Sequence, residues 1–411
     1  MKGKKQLCAG LTGILLAISA LPCAAEEDAQ SAETYKGEGF TLSYVLEDAG
    51  ASVVGCSGDA VSVTVPATLG GQTVVSIGEG AFNNCGSIAS VTLPDTVTEI
   101  GDGAFFGCQT LKEITLPSEL TKIGYEAFYY CAELESITLP DKLKSIGEQA
   151  FYYCPKLTSV TLPASVTVLG DYVFEGCEGL TEIRVQAGNP NYCDQEGVLF
   201  NADRTHLIKY PDQRAGDSYT LPDSTVSIAD WAFVDAKNLV SLDLGSVTEI
   251  GKDAFYTCTA LEQITIPEGV TALPGAAFGN CTALRQVQLP DSLTDLGAYC
   301  FVNCPALTEL TVPGSVSTIG DYALGYTFDA DTDSTTKQEG FTLRVQVGSV
   351  AANYAKTNGI AFEKQGARTG IALVIAGGIL LVLGAVILII RLKGTKQEQN
   401  TDTAQPAPEK E

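Results

Sequence analysis

Cysteine is the residue type whose number and spacing first suggest chemistry in this chain of 411 residues. Thirteen cysteines could form disulfides, bind a metal or act as nucleophiles. Most of them instead recur every 23 residues, in two series: Cys85, Cys108, Cys131, Cys154 and Cys177, then Cys258, Cys281 and Cys304. Ala236 takes the equivalent place in another unit, so we predict a small buried position that holds free thiols. Neighbouring units about 5 Å apart leave an occasional disulfide geometrically conceivable.

Catalytic motifs are the second feature we sought. The chain has one histidine, His206, and contains no Gly-x-Ser-x-Gly, His-Glu-x-x-His or phosphate-loop motif. A pair of carboxylates can hydrolyse a glycosidic bond, but with 49 Asp and Glu residues such pairs arise by chance. We therefore predict a protein that is not an enzyme and needs no cofactor. A carboxylate-based hydrolase is the remote alternative.

An acidic segment near the end of the repeats could bind calcium. Asp329, Asp331 and Asp333 alternate along the chain, and alternating carboxylates can direct oxygen atoms at one hard cation. In an EF-hand loop, however, a glycine would stand at Ser334 and a bidentate glutamate at Gly340. A calcium site is one interpretation, and a solvated acidic loop is the favoured one.

The net charge of −24 excludes one class of partner. A protein that binds nucleic acid needs a positive surface to neutralise phosphates. We therefore predict no nucleic-acid partner.

A repeated unit must position all of these residues. The pattern Ile-Gly, Ala-Phe, Cys, then Leu-x-x-Ile-x-Leu-Pro recurs about every 23 residues, as in Ile123–Pro140, and one step, from Ile228 to Ile250, is 22 residues. The segment Ile137-Thr138-Leu139 alternates apolar and polar residues and predicts a short strand with one buried face. Stacked units would pair these strands in a parallel sheet and form a column of phenylalanines from Phe82 to Phe174.

The outward side chains of these strands are the predicted binding face. They align in two columns, and the predicted members of the face are Glu113, Thr115, Thr138, Thr161, Glu182, Arg184, Gln263, Thr265, Gln286, Gln288, Glu309 and Thr311. The alternative is that Ser and Thr merely suit an exposed strand.

A rival surface is aromatic. It comprises Phe106, Tyr129, Tyr130, Tyr152, Tyr153 and Tyr256, which follow the repeated phenylalanine. Tyrosine clusters anchor many interfaces, but we favour structural packing between repeats for most of these rings.

The repeated motif resembles the BspA-type leucine-rich repeats of bacterial surface proteins. The resemblance extends over roughly residues 40–362 and implies a leucine-rich-repeat solenoid, with a curved parallel sheet on one face and turns or short helical segments on the other. It implies an N-terminal cap at Thr64–Val74 and a last strand and cap at Tyr354–Phe362. It also implies adhesion, through binding of an extracellular protein or glycan. A structural or self-associating envelope protein is the alternative.

The domain boundaries follow from the repeat and from the two ends of the chain. We predict an N-terminal cap with the first strands at 26–76, and repeats at 77–325 with a hairpin-like insertion at about 186–215. An acidic loop and C-terminal cap follow at 326–366.

Both ends predict membrane targeting. Residues 1–25, with Lys2, Lys4 and Lys5 before an apolar run, are typical of a signal peptide; a lipoprotein acylated at Cys23 is the alternative. The run from Ile371 to Ile390 is uncharged and apolar and is long enough to span a bilayer, so we predict a transmembrane helix at 370–391. The basic residues after it predict a short cytoplasmic tail at 392–411. We therefore expect a single-pass protein of the cell membrane with its repeats outside.

Overall fold

A computed structural model describes residues 32–365 of the chain. The predicted signal peptide, the predicted membrane segment at 370–391 and the tail lie outside these residues. Within residues 32–365, no helix has both the length and the apolar character needed to span a bilayer.

Each repeat forms one turn of a solenoid, here called a coil, and most coils contribute two short parallel strands rather than the single one predicted. One is the Ser/Thr segment, as at Ser90–Thr92, where a buried aliphatic residue stands between two outward polar ones. The other is the pair before the repeated glycine, as at Glu99–Ile100. We name the two sets the Ser/Thr sheet and the Ile-Gly sheet. The expectation of one sheet was therefore incomplete, because two residues are too few to produce an alternating pattern.

Residues 32–185 contain fourteen strands. In chain order they are β1 (Glu33–Lys36), β2 (Phe40–Glu47), β3 (Gly50–Gly58), β4 (Ser62–Thr64), β5 (Thr68–Leu69), β6 (Gln72–Ile77), β7 (Ser90–Thr92), β8 (Glu99–Ile100), β9 (Glu113–Thr115), β10 (Lys122–Ile123), β11 (Ser145–Ile146), β12 (Ser159–Leu162), β13 (Val168–Leu169) and β14 (Glu182–Val185).

Residues 186–365 continue with the insertion, further coils and one helix. Its elements are β15 (Tyr192–Gln195), β16 (Val198–Asn201), β17 (His206–Lys209), β18 (Ser218–Thr220), β19 (Ser227–Ile228), β20 (Ser241–Asp243), β21 (Glu249–Ile250), β22 (Gln263–Thr265), β23 (Ala272–Leu273), β24 (Gln286–Gln288), β25 (Asp295–Leu296), β26 (Glu309–Thr311), β27 (Thr318–Ile319), β28 (Tyr326–Asp329), β29 (Ser334–Lys337), β30 (Thr342–Val345), α1 (Val350–Asn358) and β31 (Ala361–Lys364).

Both sheets are interrupted along the solenoid. The Ser/Thr sheet consists of the groups β4-β7-β9, β12-β14, β18-β20-β22-β24 and β26-β30-β31. The Ile-Gly sheet continues the antiparallel strands β1-β2-β3 through β6-β8-β10-β11-β13, and then resumes as β17-β19-β21 and β23-β25-β27. Parallel pairing puts equivalent residues of successive coils side by side, as at Thr92 and Thr115.

The prediction of a strand at Ile137–Leu139 is wrong. This segment carries no strand in the structure. The backbone hydrogen bonds on either side of it are long, at 3.4 Å from Glu135 N to Lys112 O and 3.4 Å from Thr158 N to Glu135 O. Ile137 is nevertheless buried and Thr138 exposed, as the alternation requires. The alternating pattern therefore predicted correctly which side chains are buried and which are exposed. It did not predict that the segment lacks the hydrogen bonds of a strand.

The repeated glycine is required by the close approach of successive coils. A Cβ atom on Gly124 would lie 2.7 Å from the backbone N of Asp102, and one on Gly147 would lie 2.5 Å from the backbone N of Tyr125. Such contacts are far shorter than van der Waals separation. The glycine therefore lets one coil rest on the backbone of the coil before it.

The core consists of columns that run along the solenoid. Phe82, Phe105, Phe128, Phe151 and Phe174 stack with ring centroids 4.9 to 6.0 Å apart, which confirms the predicted phenylalanine column. A second column starts at Tyr210 and continues through Phe233, Phe255, Phe278 and Phe301. Aliphatic residues surround both columns, and the buried residues form two hydrophobic clusters that meet near Val198 and Leu199.

The repeated cysteines are free thiols with a hydrogen-bonding role in the core. Cys131 Sγ donates to Phe105 O at 3.3 Å, and Cys108 Sγ donates to Phe82 O at 3.0 Å. In each case the acceptor belongs to the preceding coil. The position therefore requires a small side chain, and a thiol there also satisfies a buried carbonyl.

The insertion at 186–215, called the joint, separates the two columns of rings. It contains β15, β16 and β17, which pair antiparallel in sequence, and β17 then pairs parallel with β19. It is thus a three-stranded meander, with one strand more than the predicted hairpin. The turn between β16 and β17 holds Asp203, whose carboxylate accepts hydrogen bonds from Thr205.

A helix covers the end of the core, where only a strand and cap were expected. Ser349 caps the N-terminus of α1 by accepting a hydrogen bond from Ala352 N, and Gly359 ends the helix in the left-handed conformation at φ 63°. Ala351, Ala352 and Ala355 are its buried face.

Candidate binding face

The predicted binding face is an exposed surface of the Ser/Thr sheet. Of its twelve members, Glu182 is half-buried and the other eleven are exposed. Their columns follow the strand register: Ser159 pairs with Glu182, Gln263 with Gln286, and Glu309 with Thr342. The structure therefore brings together the side chains within each half of the face.

Three charged members of the face are already paired within the protein. Arg184 contacts Glu182 at 2.8 Å and Asp194 of the joint at 3.2 Å. The hydrogen bond to Glu182 raises the pKa of the Arg184 guanidinium. Glu309 pairs with Arg344 at 2.7 Å. These carboxylates stabilise the face itself and are less available to a partner.

A cavity of about 360 Å³ opens on the C-terminal half of the face. Its polar lining comes from three neighbouring strands and consists of Ser241, Asp243, Gln263, Thr265, Gln286 and Gln288. Leu242, Leu244 and Ile264 lie among the apolar residues of its lining.

The cavity lies where the repeat is one residue short. Strands β18 and β20 pair at three positions, and so do β22 and β24, whereas β20 and β22 pair only at Ser241 and Gln263. The coil of β20 belongs to the 22-residue step and has two residues, Gly245 and Ser246, between Leu244 and Val247. The equivalent segment after Leu93 has three. Because the shorter coil draws its chain away from β22, a gap opens between the strands.

The cavity offers free hydrogen-bonding groups. In the part of the chain that the structure describes, the amides of Gln263, Gln286 and Gln288 have no partner within the protein. One oxygen of Asp243 accepts from Gly245 N at 3.0 Å. Amides that both donate and accept are suited to hydroxyl and amide groups of a ligand. Ser241 and Asp243 were not among the predicted members, although the 22-residue step marked their coil.

The predicted aromatic patch divides into two stacks and one separate ring. Phe106, Tyr129 and Tyr152 stack at 4.9 Å, and Tyr130 stacks on Tyr153 at 4.9 Å. All five are half-buried, and burial is the main cause of the raised pKa of Tyr129. Tyr256 lies in another coil, over Gly279. These rings make contacts between coils, as the structural interpretation expects.

The three aspartates of the acidic segment lie at the tip of a hairpin. Strands β28 and β29 pair from Tyr326 to Asp329, and residues 330–333 form the turn. Asp329 accepts from Asp331 N at 2.9 Å, and its hydrogen bond with the Thr332 side chain lowers its pKa. Among the described residues, no three His, Cys, Asp or Glu side chains converge as metal ligands would.

Comparison with known proteins assigns this architecture. A family model described as the BspA type leucine-rich repeat region matches residues 75–194 and 214–329 in six copies, which is more than half of the chain. The chain belongs to the BspA-type leucine-rich repeat family. Among curated proteins, none matches this chain.

Solved structures share the BspA-type solenoid. The pneumococcal vaccine antigen PcpA is 24% identical, with a TM-score of 0.63; the match covers 82% of this chain and 99% of that one. A leucine-rich repeat protein from Eubacterium ventriosum is 25% identical, with a TM-score of 0.51, and the match covers 71% and 94% of the two chains. These likenesses support the fold. The family match stops at 194 and resumes at 214, so most of the joint falls outside the BspA-type repeats.

Three charged side chains are buried together where the joint meets the preceding coil. Lys209 Nζ lies 3.0 Å from Glu175 Oε2 and 3.0 Å from Asp212 Oδ1, and all three side chains are at most 4% exposed. Burial raises the pKa of Glu175 and raises that of Asp212 to about 7. One cation thus serves two carboxylates, and burial favours the protonated form of both carboxyl groups.

A cavity of about 630 Å³ lies beside this buried cluster. Its lining includes Tyr172, His206 and Glu249. His206 Nδ1 lies 2.8 Å from Ser227 Oγ, and Ser227 pairs in turn with Glu249 across β19 and β21. Burial lowers the pKa of His206.

Proposed function

We propose that this BspA-type protein is a cell-surface recognition protein whose Ser/Thr sheet binds an extracellular protein or glycan. The cavity between β20 and β22 carries the proposal, because it joins free amides, a carboxylate and apolar walls in one concave site. Concave sites with a few directed polar groups are where proteins bind ligands. The surrounding flat face supplies the area that a larger partner needs.

A binding screen of the full-length chain in detergent tests this proposal. The chain would be passed over immobilised glycans and extracellular-matrix proteins, and saturable binding is the expected result. A double variant, Gln263→Ala with Gln286→Ala, removes two amides from the cavity and should weaken binding at least tenfold.

The matched control is Ser90→Ala with Glu113→Ala. These residues occupy the same column on the N-terminal half of the face, where β7 and β9 pair at three positions. Equal loss in both double variants would place binding on the face as a whole. Unchanged binding in both would reject the Ser/Thr sheet as the site.

Failure of the folded chain to bind any tested ligand would favour the alternative, a structural or self-associating envelope protein. Sedimentation of the same sample would then show concentration-dependent assembly.

We also propose a single-pass protein of the cell membrane with the repeats outside. The apolar run at 370–391 and its basic flank support this orientation. Protease added to intact cells should remove the repeats and leave the tail protected. Protection of the repeats would reject the orientation.

A further inference from the structure

Cys56 and Cys85 make contacts unlike those of the other repeated cysteines. The buried thiols of the later coils donate to a phenylalanine carbonyl of the preceding coil, at 3.0 to 3.3 Å in the cases of Cys108, Cys154 and Cys304. Cys85 belongs to the first coil, which has no phenylalanine coil before it. Its Sγ reaches the carbonyl of Cys56 instead, at 3.8 Å.

The two thiols also interact with each other. A hydrogen bond between the side chains raises the pKa of Cys56 and lowers that of Cys85. Both residues are half-buried, whereas the cysteines of the following coils are buried. An external reagent can therefore reach this pair, and Cys85 is the better nucleophile of the two.

The two cysteines belong to different parts of the fold. Cys56 lies on β3, paired with Leu42 of β2 in the N-terminal antiparallel strands. Cys85 lies in the turns of the first coil, 29 residues later. A covalent bond between them would join these strands to the solenoid.

We propose that Cys56 and Cys85 are a redox-active pair that forms a disulfide between the N-terminal strands and the first coil. The oxidant is a small-molecule disulfide. The Cys85 thiolate attacks one of its sulfurs and releases one thiolate. The Cys56 thiolate then attacks Cys85 Sγ and releases the second thiolate. The two cysteine protons end on the two released thiols, so one external disulfide is reduced for each bond formed.

No other described cysteine competes for either partner. Cys108 is 1% exposed, and burial raises its pKa to about 12. Cys193 is half-buried, but it lies in the joint, where its Sγ donates to Asn201 O at 3.2 Å. The positions of Cys56 and Cys85 in the fold therefore determine that these two cysteines pair with each other.

The expected effect is on the N-terminal strands. The bond would close a long loop and so restrict the unfolded chain, which stabilises the folded state. The pairing itself does not rest on the proposed function. The export proposed above would place the cysteine pair in an oxidising compartment. A test on the purified full chain examines the disulfide independently of export and of the proposed binding function.

The test is peptide mapping after oxidation. The full-length chain would be incubated with oxidised glutathione, its remaining thiols alkylated under denaturing conditions, and its peptides weighed. A cross-linked peptide containing Cys56 and Cys85, lighter by two hydrogens than the separate peptides, is expected. The melting temperature of the oxidised chain should exceed that of the reduced chain by several degrees.

Cys56→Ser and Cys85→Ser should each abolish this difference in melting temperature. Cys193→Ser, at the other half-buried thiol considered above, should preserve it. Recovery of Cys56 and Cys85 as separately alkylated or glutathionylated peptides would overturn the proposal. So would a cross-link from either residue to a different cysteine.

Discussion

The regular coils bury stacked side chains of the same type, whereas the joint buries side chains of opposite charge. In the coils, each residue meets its own equivalent in the next coil, so Phe105 stacks on Phe128 at 5.1 Å. At the joint the equivalence ends, and Glu175 takes the place that Tyr152 holds one coil earlier. Its partner is Lys209, 34 residues away. Stacks of like residues extend a solenoid without a fixed end, whereas a buried ion pair specifies one neighbour.

The largest expected effect comes from removing the cation of the joint. Lys209→Met leaves the carboxylates of Glu175 and Asp212 buried without a positive partner. We expect the free energy of unfolding at pH 8 to fall by about 3–5 kcal/mol. Chemical denaturation measures it. Lys142→Met is the control, since its ion pair with Glu119 is exposed and contributes less than about 1 kcal/mol. Equal losses in the two variants would show that the joint is no more dependent on charge than the surface.

A glycine substitution tests the coils in the same way. Gly147→Ala would place a Cβ atom against the backbone of the preceding coil, and we expect a loss of about 3 kcal/mol in the free energy of unfolding. Gly86→Ala is the matched control, because nothing lies within 4 Å of the added atom. If both variants unfold at the same denaturant concentration, close approach of the backbones is not what requires the glycine.

The joint should also make stability depend on pH. Asp212, with its pKa of about 7 in the folded protein and about 3.9 when unfolded, binds a proton more readily in the folded state between these values. The free energy of unfolding contributed by this group therefore falls as the pH rises from about 4 to about 7. Lys209, Glu175 and Asp235 are its charged neighbours.

Asp212→Asn removes this titration and isolates it from other carboxylates. Relative to the original chain, the variant should be unchanged near pH 4 and more stable by up to roughly 4 kcal/mol at pH 8. Thermal or chemical unfolding across that range gives the difference. Parallel curves for the two proteins would show that Asp212 is ionised throughout.

The smallest effect concerns one thiol of a coil. Cys131→Ala removes the hydrogen bond to Phe105 O and one buried sulfur, so we expect a loss of about 1 kcal/mol. The reciprocal change, Ala236→Cys, occupies the equivalent position and should be neutral or slightly stabilising. A loss above about 3 kcal/mol for Cys131→Ala would mean that the position tolerates no smaller residue.

The coils were largely predictable from sequence because their contacts repeat. A residue that contacts its equivalent in the next coil recurs in the sequence at the period of the repeat. This period predicted the phenylalanine column and the outward orientation of Thr115 and Thr265. The Ile-Gly sheet was missed because its strands are two residues long. Helix α1 was missed although Ser349 and Gly359, its two capping residues, were visible.

The joint and the cavity on the face were less predictable. Glu175 lies 34 residues before Lys209, Asp212 lies three residues after it, and nothing periodic marks any of the three. The cavity depends on a one-residue deletion in the coil of β20. The 22-residue step shows this deletion in the sequence, but it does not predict that a cavity forms there. The sequence thus predicted a uniform binding face. In the structure the N-terminal half of the face is flat, and the C-terminal half contains the cavity.

The nearest-neighbour contacts of the coils have an evolutionary consequence. Cys131 bonds the coil before it and Phe128 stacks on the coils to either side. Recombination between two gene segments that encode coils could therefore add or remove 23 residues and leave every remaining contact with an equivalent partner. Copy number can drift freely within each array. The joint can be neither duplicated nor lost in this way, because its lysine has partners in only one place.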